Sequence, residues 1–293
     1  MTYDWVSFTT DYGTADGFVA ACKGVLGVHA PAVRVIDVTH QVPAQDVRRG
    51  AAVLAQTVPW LPPAVHLAVV DPGVGTDRRG VAVVTGRGIL VGPDNGLLPP
   101  AADALGGVTA AYELADPAYH LPRVSTTFHG RDVFAPVTAR LCRGLDPAAL
   151  GPPVADLVRL PVPAVHVEAG SLQAEVLTVD TFGNVQLAAD AADLAAAGLA
   201  PAAPDATGPG ATGTDSARSG ATGPGATGPG AVKVLAGGGT HPARMGRTFG
   251  DVATGELVVI VDSEDLVGIA VNRGDAAARL GIVPGDEVTV RAG

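Results

Sequence analysis

Four short segments place acids beside arginine, histidine and glycine at turn-like positions. FTTDYG holds Asp11, VVDPGVGTDRRG holds Asp71 with Arg78 and Arg79, and VGPDNG holds Asp94 and Asn95. STTFHGRDVF holds Phe128, His129, Gly130, Arg131 and Asp132. In the first three, the acid closes an apolar run that reads as a strand. In a parallel α/β sheet, ligands bind beyond the carboxyl ends of the strands. An acid, an arginine and a histidine gathered on that rim can take a proton from water, orient it and hold developing charge. The glycines beside them read as places where a ligand approaches the backbone. Each acid alone has a plainer use: Asp at a strand end forms turns or caps helices, and PDNG is good turn chemistry. Asp132 also suits the N-terminus of its own helix.

Other chemistries find less support. The chain has seven histidines but no HExxH and no Cys/His cluster, so no zinc site is expected. There is no GxSxG for a serine nucleophile and no GxxxxGK[ST] for a phosphate loop. GPGATG at 208–213 and again at 223–228 matches GxGxxG, but neither copy follows a strand or opens a helix.

The elements that must carry these residues alternate through the first half. DWVSFTT, VRVIDVTH and VHLAVVD read as strands, separated by helices over ADGFVAACKGVLGVHAP and QDVRRGAAVLAQTVPWL. GVAVVT and GILVGPD form a hairpin, and FHGRDVFAPVTARLCRGL turns into a helix. This predicts an α/β N-terminal domain with a mainly parallel sheet, residues 1–160, carrying the water-activating residues. The proline-punctuated stretch 151–167 marks the boundary. Beyond it, LQAEVLTVD, NVQLAA, ELVVIVD, LVGIAV and DEVTVRAG predict a smaller β-rich, barrel-like domain over 161–293. Inside it, a run at about 201–239 repeats ATGPG; it cannot bury enough apolar surface to offset chain entropy and is expected to be a disordered insertion.

The 293 residues are 47% hydrophobic and carry a net charge of −10. A sizeable core can form, whereas nucleic acid would be repelled, since the arginine pairs at 48–49 and 78–79 make no basic patch. Cys22 and Cys142 form no CxxC, MTYDWVSFTTDYG lacks signal-peptide regions, and no apolar run spans a bilayer. A cytoplasmic protein with no membrane partner is expected.

Taken together and in order, FTTDYGTADGFVAACKG, IDVTH, VVDPGVGTDRRG, GPDNGLL, STTFHGRDVFAP, VDTFGN and SEDLVGIAVNRGDAAARLG…GDEV resemble a known family. It is that of the adenosine-forming S-adenosyl-L-methionine (SAM) hydrolases, or SAM hydroxide adenosyltransferases, kin to the SAM-dependent fluorinase and chlorinase. The resemblance runs from about residue 7 to the C-terminus, skipping the ATGPG run. It implies an α/β domain plus a barrel-like domain, a homotrimer with substrate between subunits, and no metal or cofactor. It assigns Asp71, Arg78 and His129 to water handling, and the halogenases carry tyrosines where Asp71 and His129 stand. It matches Asp11 to the ribose hydroxyls, Phe128 and Phe249 to the adenosine rings, and Asn184 to adenine, with backbone help near Val271 and Ala276. Asp180 and Ser263 match groups on the methionine end, with Asp16 a further candidate for its ammonium. Gly130 stands where a halide-contacting residue lies in the halogenases. Glu264 replaces an arginine and Gln45 a tryptophan of those relatives, so the resemblance does not say how the methionine carboxylate is held. Two rivals stay open: a SAM-dependent halogenase, and a non-catalytic adenosine- or SAM-binding protein, which would keep Asp11 and Asn184 without needing Asp71, Arg78 and His129 together. A metal-dependent hydrolase is a third.

Overall fold

The computed structural model describes residues 1–199 and 230–293. The chain divides into two compact units, Met1–Pro161 and Val162–Gly293.

The first unit is built on a six-stranded sheet. Its strands are β1 (Trp5–Thr10), β2 (Arg34–Thr39), β3 (Ala64–Val69), β4 (Gly80–Thr85), β5 (Gly88–Pro93) and β6 (Val108–Glu113), in the spatial order β2-β1-β3-β5-β4-β6. The first four in that order run parallel; β4 is antiparallel to both β5 and β6. Every residue of β3 and β5 is buried, which is why both read as unbroken apolar runs rather than alternating ones. Helices α1 (Phe18–His29) and α4 (Ala135–Cys142) cover one face, where Phe8, Leu26, Leu67, Phe134 and Leu141 pack together. Helices α2 (Val47–Thr57) and α3 (Pro99–Ala104) cover the other, over Leu54, Val70, Leu90 and Leu97. Asp46 caps α2 by accepting from Arg49 N at 2.9 Å.

Phe134 is fully buried and lies so close to Gly80 that a Cβ there would meet its ring at 2.9 Å. Phe134→Ala is expected to cost about 3–5 kcal/mol of stability, the usual price of emptying an aromatic core site. Urea titration checks it; a loss below about 1 kcal/mol would mean that the site collapses on mutation.

The second unit is a closed barrel. Strands β8 (Ser171–Val179), β9 (Val185–Asp190), β10 (Ala231–Ala236), β11 (Gly239–Met245), β12 (Leu257–Val261), β13 (Leu266–Val271) and β14 (Glu287–Ala292) follow the order β14-β10-β11-β12-β13-β9-β8, and β14 pairs back onto β8. β7 (Val165–Glu168) lies outside the ring on β8. Closure leaves the ring no free edge. Burial alternates along β8 and β9, so every second residue, among them Leu172, Val176 and Leu187, enters the barrel core. Helices α5 (Ala191–Ala196) and α6 (Ala276–Leu280) begin on caps from Asp190 and Asp275.

The expectation of an α/β domain with a mainly parallel sheet, followed by a smaller barrel-like domain, matches this architecture. The insertion expected at 201–239 does not extend as far as expected. Residues 200–229 lie outside the described residues, but Ala231–Ala236 forms β10 and pairs with both β11 and β14. The alternation AVKVLA, which buries Val232, Val234 and Ala236, sets this segment apart from the ATGPG repeats. Among the described residues no helix is long and apolar enough to cross a membrane, and both cysteines are buried and free.

Candidate active site

Because β1, β3 and β5 are parallel, Asp11, Asp71 and Asp94 emerge on one rim. After Asp71 the chain makes two tight turns, with Val74 N donating to Asp71 O and Thr76 N to Gly73 O, and so returns Arg78 to the carboxylate it left. Arg78 Nε donates to Asp71 Oδ1 at 2.8 Å, and its Nη2 donates to Asp71 Oδ2. The same Nη2 lies 3.1 Å from His129 Nδ1. The Asp71 and Arg78 side chains are only 6% and 12% exposed, so the pair is held largely away from solvent.

A guanidinium has no acceptor, so His129 Nδ1 must accept and the ring proton sits on Nε2. Burial, and then the Arg78 charge, hold the His129 pKa below the usual histidine range, against the opposing pull of Asp71. The cluster is thus an ionised fork beside a neutral imidazole.

The neighbouring arginine goes elsewhere. Arg79 donates from Nε (3.0 Å) and Nη2 (2.6 Å) to Asp94 Oδ2 and from Nη1 to Asp156 (2.8 Å), while Asp94 Oδ1 accepts from Val158 N. Asn95 donates to Val70 O. The PDNG segment therefore ties the 156–158 stretch to the sheet, the structural use its turn chemistry suggests. Arg79→Leu would strand the buried Asp94 carboxylate and is expected to cost about 3 kcal/mol of stability while leaving kcat unchanged. A drop in kcat with unaltered melting would assign Arg79 to the reaction.

Two of the glycines near the acids also serve the protein's own packing. Gly75 has φ +79°, and a Cβ there would lie 2.3 Å from Thr126 O. This contact docks the Asp71 loop on the His129 loop. A Cβ at Gly130 would lie 2.1 Å from Tyr12 Oη.

A cleft of about 350 Å³ opens between these loops, lined by Asp11, Tyr12, Phe18, Asp71, His129 and Gly130 together with Gln45 and Thr127. Asp11 Oδ2 accepts from Gln45 N at 2.9 Å, and Gln45 holds a left-handed φ of +66° to deliver that N–H. Phe128 meets Phe18 and Tyr12 edge-on, at centroid distances of 5.2 and 5.7 Å. Asp16 is exposed on the loop ahead of α1 and does not line the cleft. Asp132 is buried in the π-helical turn Gly130–Phe134, where it accepts from Arg131 and from Ser125 N. Burial pushes its pKa up, but these hydrogen bonds prevail and hold it below the usual carboxylate range. It fixes the His129 loop instead of merely capping a helix.

In the barrel, four of the candidates gather at one end. Asp180 accepts from Phe182 N, Asn184 N and Asn184 Nδ2. Ala276 N donates to Gly183 O, and Val185 pairs with Ile269, two residues from Val271. Ser263 and Glu264 occupy the turn at the opposite end of β13, a strand of about 20 Å. The barrel itself therefore does not bring them to Asn184. Phe249 is half exposed on the short turn Phe249–Asp251.

The N-terminal domain model of the SAM hydroxide adenosyltransferases matches residues 6–151 and the C-terminal model matches 222–289. The chain belongs to the SAM hydroxide adenosyltransferase family. A family relative from Salinispora arenicola, named (R)-S-adenosyl-L-methionine hydrolase, is 55% identical across 99% of this chain and 98% of its own. A fluorinase of Actinoplanes sp. is 28% identical over 66% of this chain and 74% of its own. The crystal structure of a conserved protein from Thermotoga maritima superposes with a TM-score of 0.82 at 33% identity, covering 98% of this chain and all of that one.

The first family match contains every cleft residue named above; the second contains Phe249, Ser263, Glu264, Val271 and Ala276, whereas Asp180 and Asn184 fall between the two. Sequence reasoning passed over Tyr12 and Phe18 as site residues. The only signal was an aromatic directly after the rim acid and another opening α1, a pattern equally suited to core packing.

Proposed function

We propose that this member of the family hydrolyses SAM to adenosine and L-methionine by attack of water on C5′. The observation that carries the reading is the buried fork of Arg78 on Asp71, with the same guanidinium nitrogen reaching His129. Each carboxylate oxygen keeps a lone pair beyond its bond to Arg78, so Asp71 can accept a proton from water. Neutral His129 presents Nε2–H to the same water and holds it by its oxygen. Water attacks in line with the C5′–S bond, methionine departs as a neutral thioether, and the proton passes through Asp71 to solvent. The substrate carries its own leaving group, so the step calls on no cofactor. Loss of the sulfonium charge on the way to the transition state suits a desolvated site, and holding water and carbon in line supplies much of the remaining acceleration.

Asp71 and His129 line the cleft where the halogenases carry tyrosines; a carboxylate there repels a halide and disfavours the halogenase reading. Asp11 is the ribose ligand, with Phe128 and Phe249 on the adenosine, Asn184 on adenine, and Asp180, Ser263 and Asp16 on the methionine end. We infer a homotrimer in which a neighbouring subunit's barrel completes the site, and, after the relative's name, a preference for the (R) epimer. Mixing Asp71→Ala with Asn184→Ala subunits is then expected to restore part of the activity that each alone lacks; no recovery after subunit exchange would contradict a shared site.

The test is a product assay with an epimeric mixture of SAM, chelator and chloride. Adenosine plus methionine, with loss of one epimer, supports the reading; 5′-chloro-5′-deoxyadenosine or dependence on a metal contradicts it. The pH profile adds a check. Protonating His129 would set an N–H against Arg78, so activity falls as pH drops through the His129 pKa, and that acid limb should lie below the usual histidine range. A limb above that range would contradict the neutral-imidazole role.

A further inference from the structure

One polar group of the cleft has no task in this account. The Tyr12 hydroxyl lies against Gly130, next to His129, in the cleft that Asp71 also lines. It donates to no group among the described residues. Its ring is fixed by Phe18 and Phe128 at centroid distances of 5.9 and 5.7 Å. Burial, then nearby Cys22, Asp11 and Asp71, raise the phenol pKa, so the group stays a neutral O–H.

A water poised for attack has four hydrogen-bonding directions. One lone pair must face carbon, and the other accepts from His129 Nε2–H. One hydrogen goes to Asp71, and the second needs an acceptor. Asp11 accepts from Gln45 N and, in the proposed reading, is turned to the ribose hydroxyls, whereas the Tyr12 hydroxyl stands in the cleft beside Gly130 and His129 with no other task. We propose that Tyr12 is a further catalytic residue, whose Oη accepts the second hydrogen of the attacking water and so fixes the direction of its attacking lone pair. Gly130 is the residue that leaves room for this hydroxyl. The inference rests on the hydrolase reading and deepens it.

Tyr12→Phe tests it without disturbing packing. Losing one hydrogen bond to the water should lower kcat about 5–10-fold and leave KM for SAM unchanged, because the group touches water and not SAM. The oxygen of that water becomes O5′ of adenosine, which 5′-deoxyadenosine lacks. Wild type should bind adenosine more tightly than 5′-deoxyadenosine, and Tyr12→Phe should shrink that ratio by a similar factor, a change that a packing role would not produce. Gly130→Ala should displace the phenol and reproduce the kcat loss. In the Tyr12→Phe background, where the nearest remaining ring atom is 3.1 Å from the new Cβ, it should add little. An unchanged kcat and binding ratio in Tyr12→Phe, with wild type active, overturns the inference, as does a rise in KM alone. A wild type that releases no adenosine from SAM overturns the hydrolase reading itself.

Discussion

Asp71→Asn should leave a folded protein that binds adenosine and turns SAM over about 10²–10⁴-fold more slowly, the range for loss of a general base. The amide keeps the shape of the carboxylate but cannot take a proton from water. It also leaves Arg78 without its counter-charge in a buried position, so melting should fall as well. The two effects separate in a single-turnover experiment at a temperature where circular dichroism shows the variant folded. Loss of rate with the adenosine Kd retained assigns Asp71 to chemistry. Loss of adenosine binding together with rate would make Asp71 a structural anchor of the cleft. Arg78→Leu offers the complementary view: it strands the Asp71 carboxylate and removes the donor to His129, so it should damage both stability and rate, unlike Arg79→Leu, which touches stability alone.

The second large effect is at a residue with no polar side chain. Gly75→Ala must place a Cβ 2.3 Å from Thr126 O at a backbone φ that side chains rarely adopt. Neither partner is a flexible side-chain tip, so the two loops must separate. Those loops carry Asp71 and Arg78 on one side and Phe128 and His129 on the other. A displacement of the order of 1 Å between catalytic groups costs roughly 10²-fold in rate, so Gly75→Ala should approach the Asp71 variant in turnover while keeping all its side-chain chemistry. Gly86→Ala, at a position open to solvent, is the control. Near-normal turnover in Gly75→Ala would show that the loops tolerate separation and that the docking contact is not what aligns the site.

Much of the architecture was legible because burial left strong periodic traces. β3 and β5, buried on both faces, are continuous apolar runs, and β8 and β9 alternate strictly. Less visible were β6, an edge strand whose residues are mostly exposed or half-buried, and α3, only six residues long and opened by two prolines. β10 was hidden by the glycine-rich repeats before it. For the site, strand order alone placed Asp11, Asp71 and Asp94 on one rim. It could not tell Arg78 from Arg79, adjacent in DRRG yet bound for different acids, nor reveal that Gly75 and Gly130 are required by Thr126 O and Tyr12 Oη. Those facts depend on how loops distant in sequence meet. The same holds for six of the barrel candidates, which the motif order presents as one set but β13 separates into two ends.

The most direct test of the central claim is to incubate the wild-type protein with SAM in ¹⁸O-labelled water containing chloride and weigh the nucleoside product. Attack of water on C5′ predicts adenosine carrying a single ¹⁸O on its 5′-carbon. Unlabelled adenosine, 5′-chloro-5′-deoxyadenosine, or SAM left intact would contradict it.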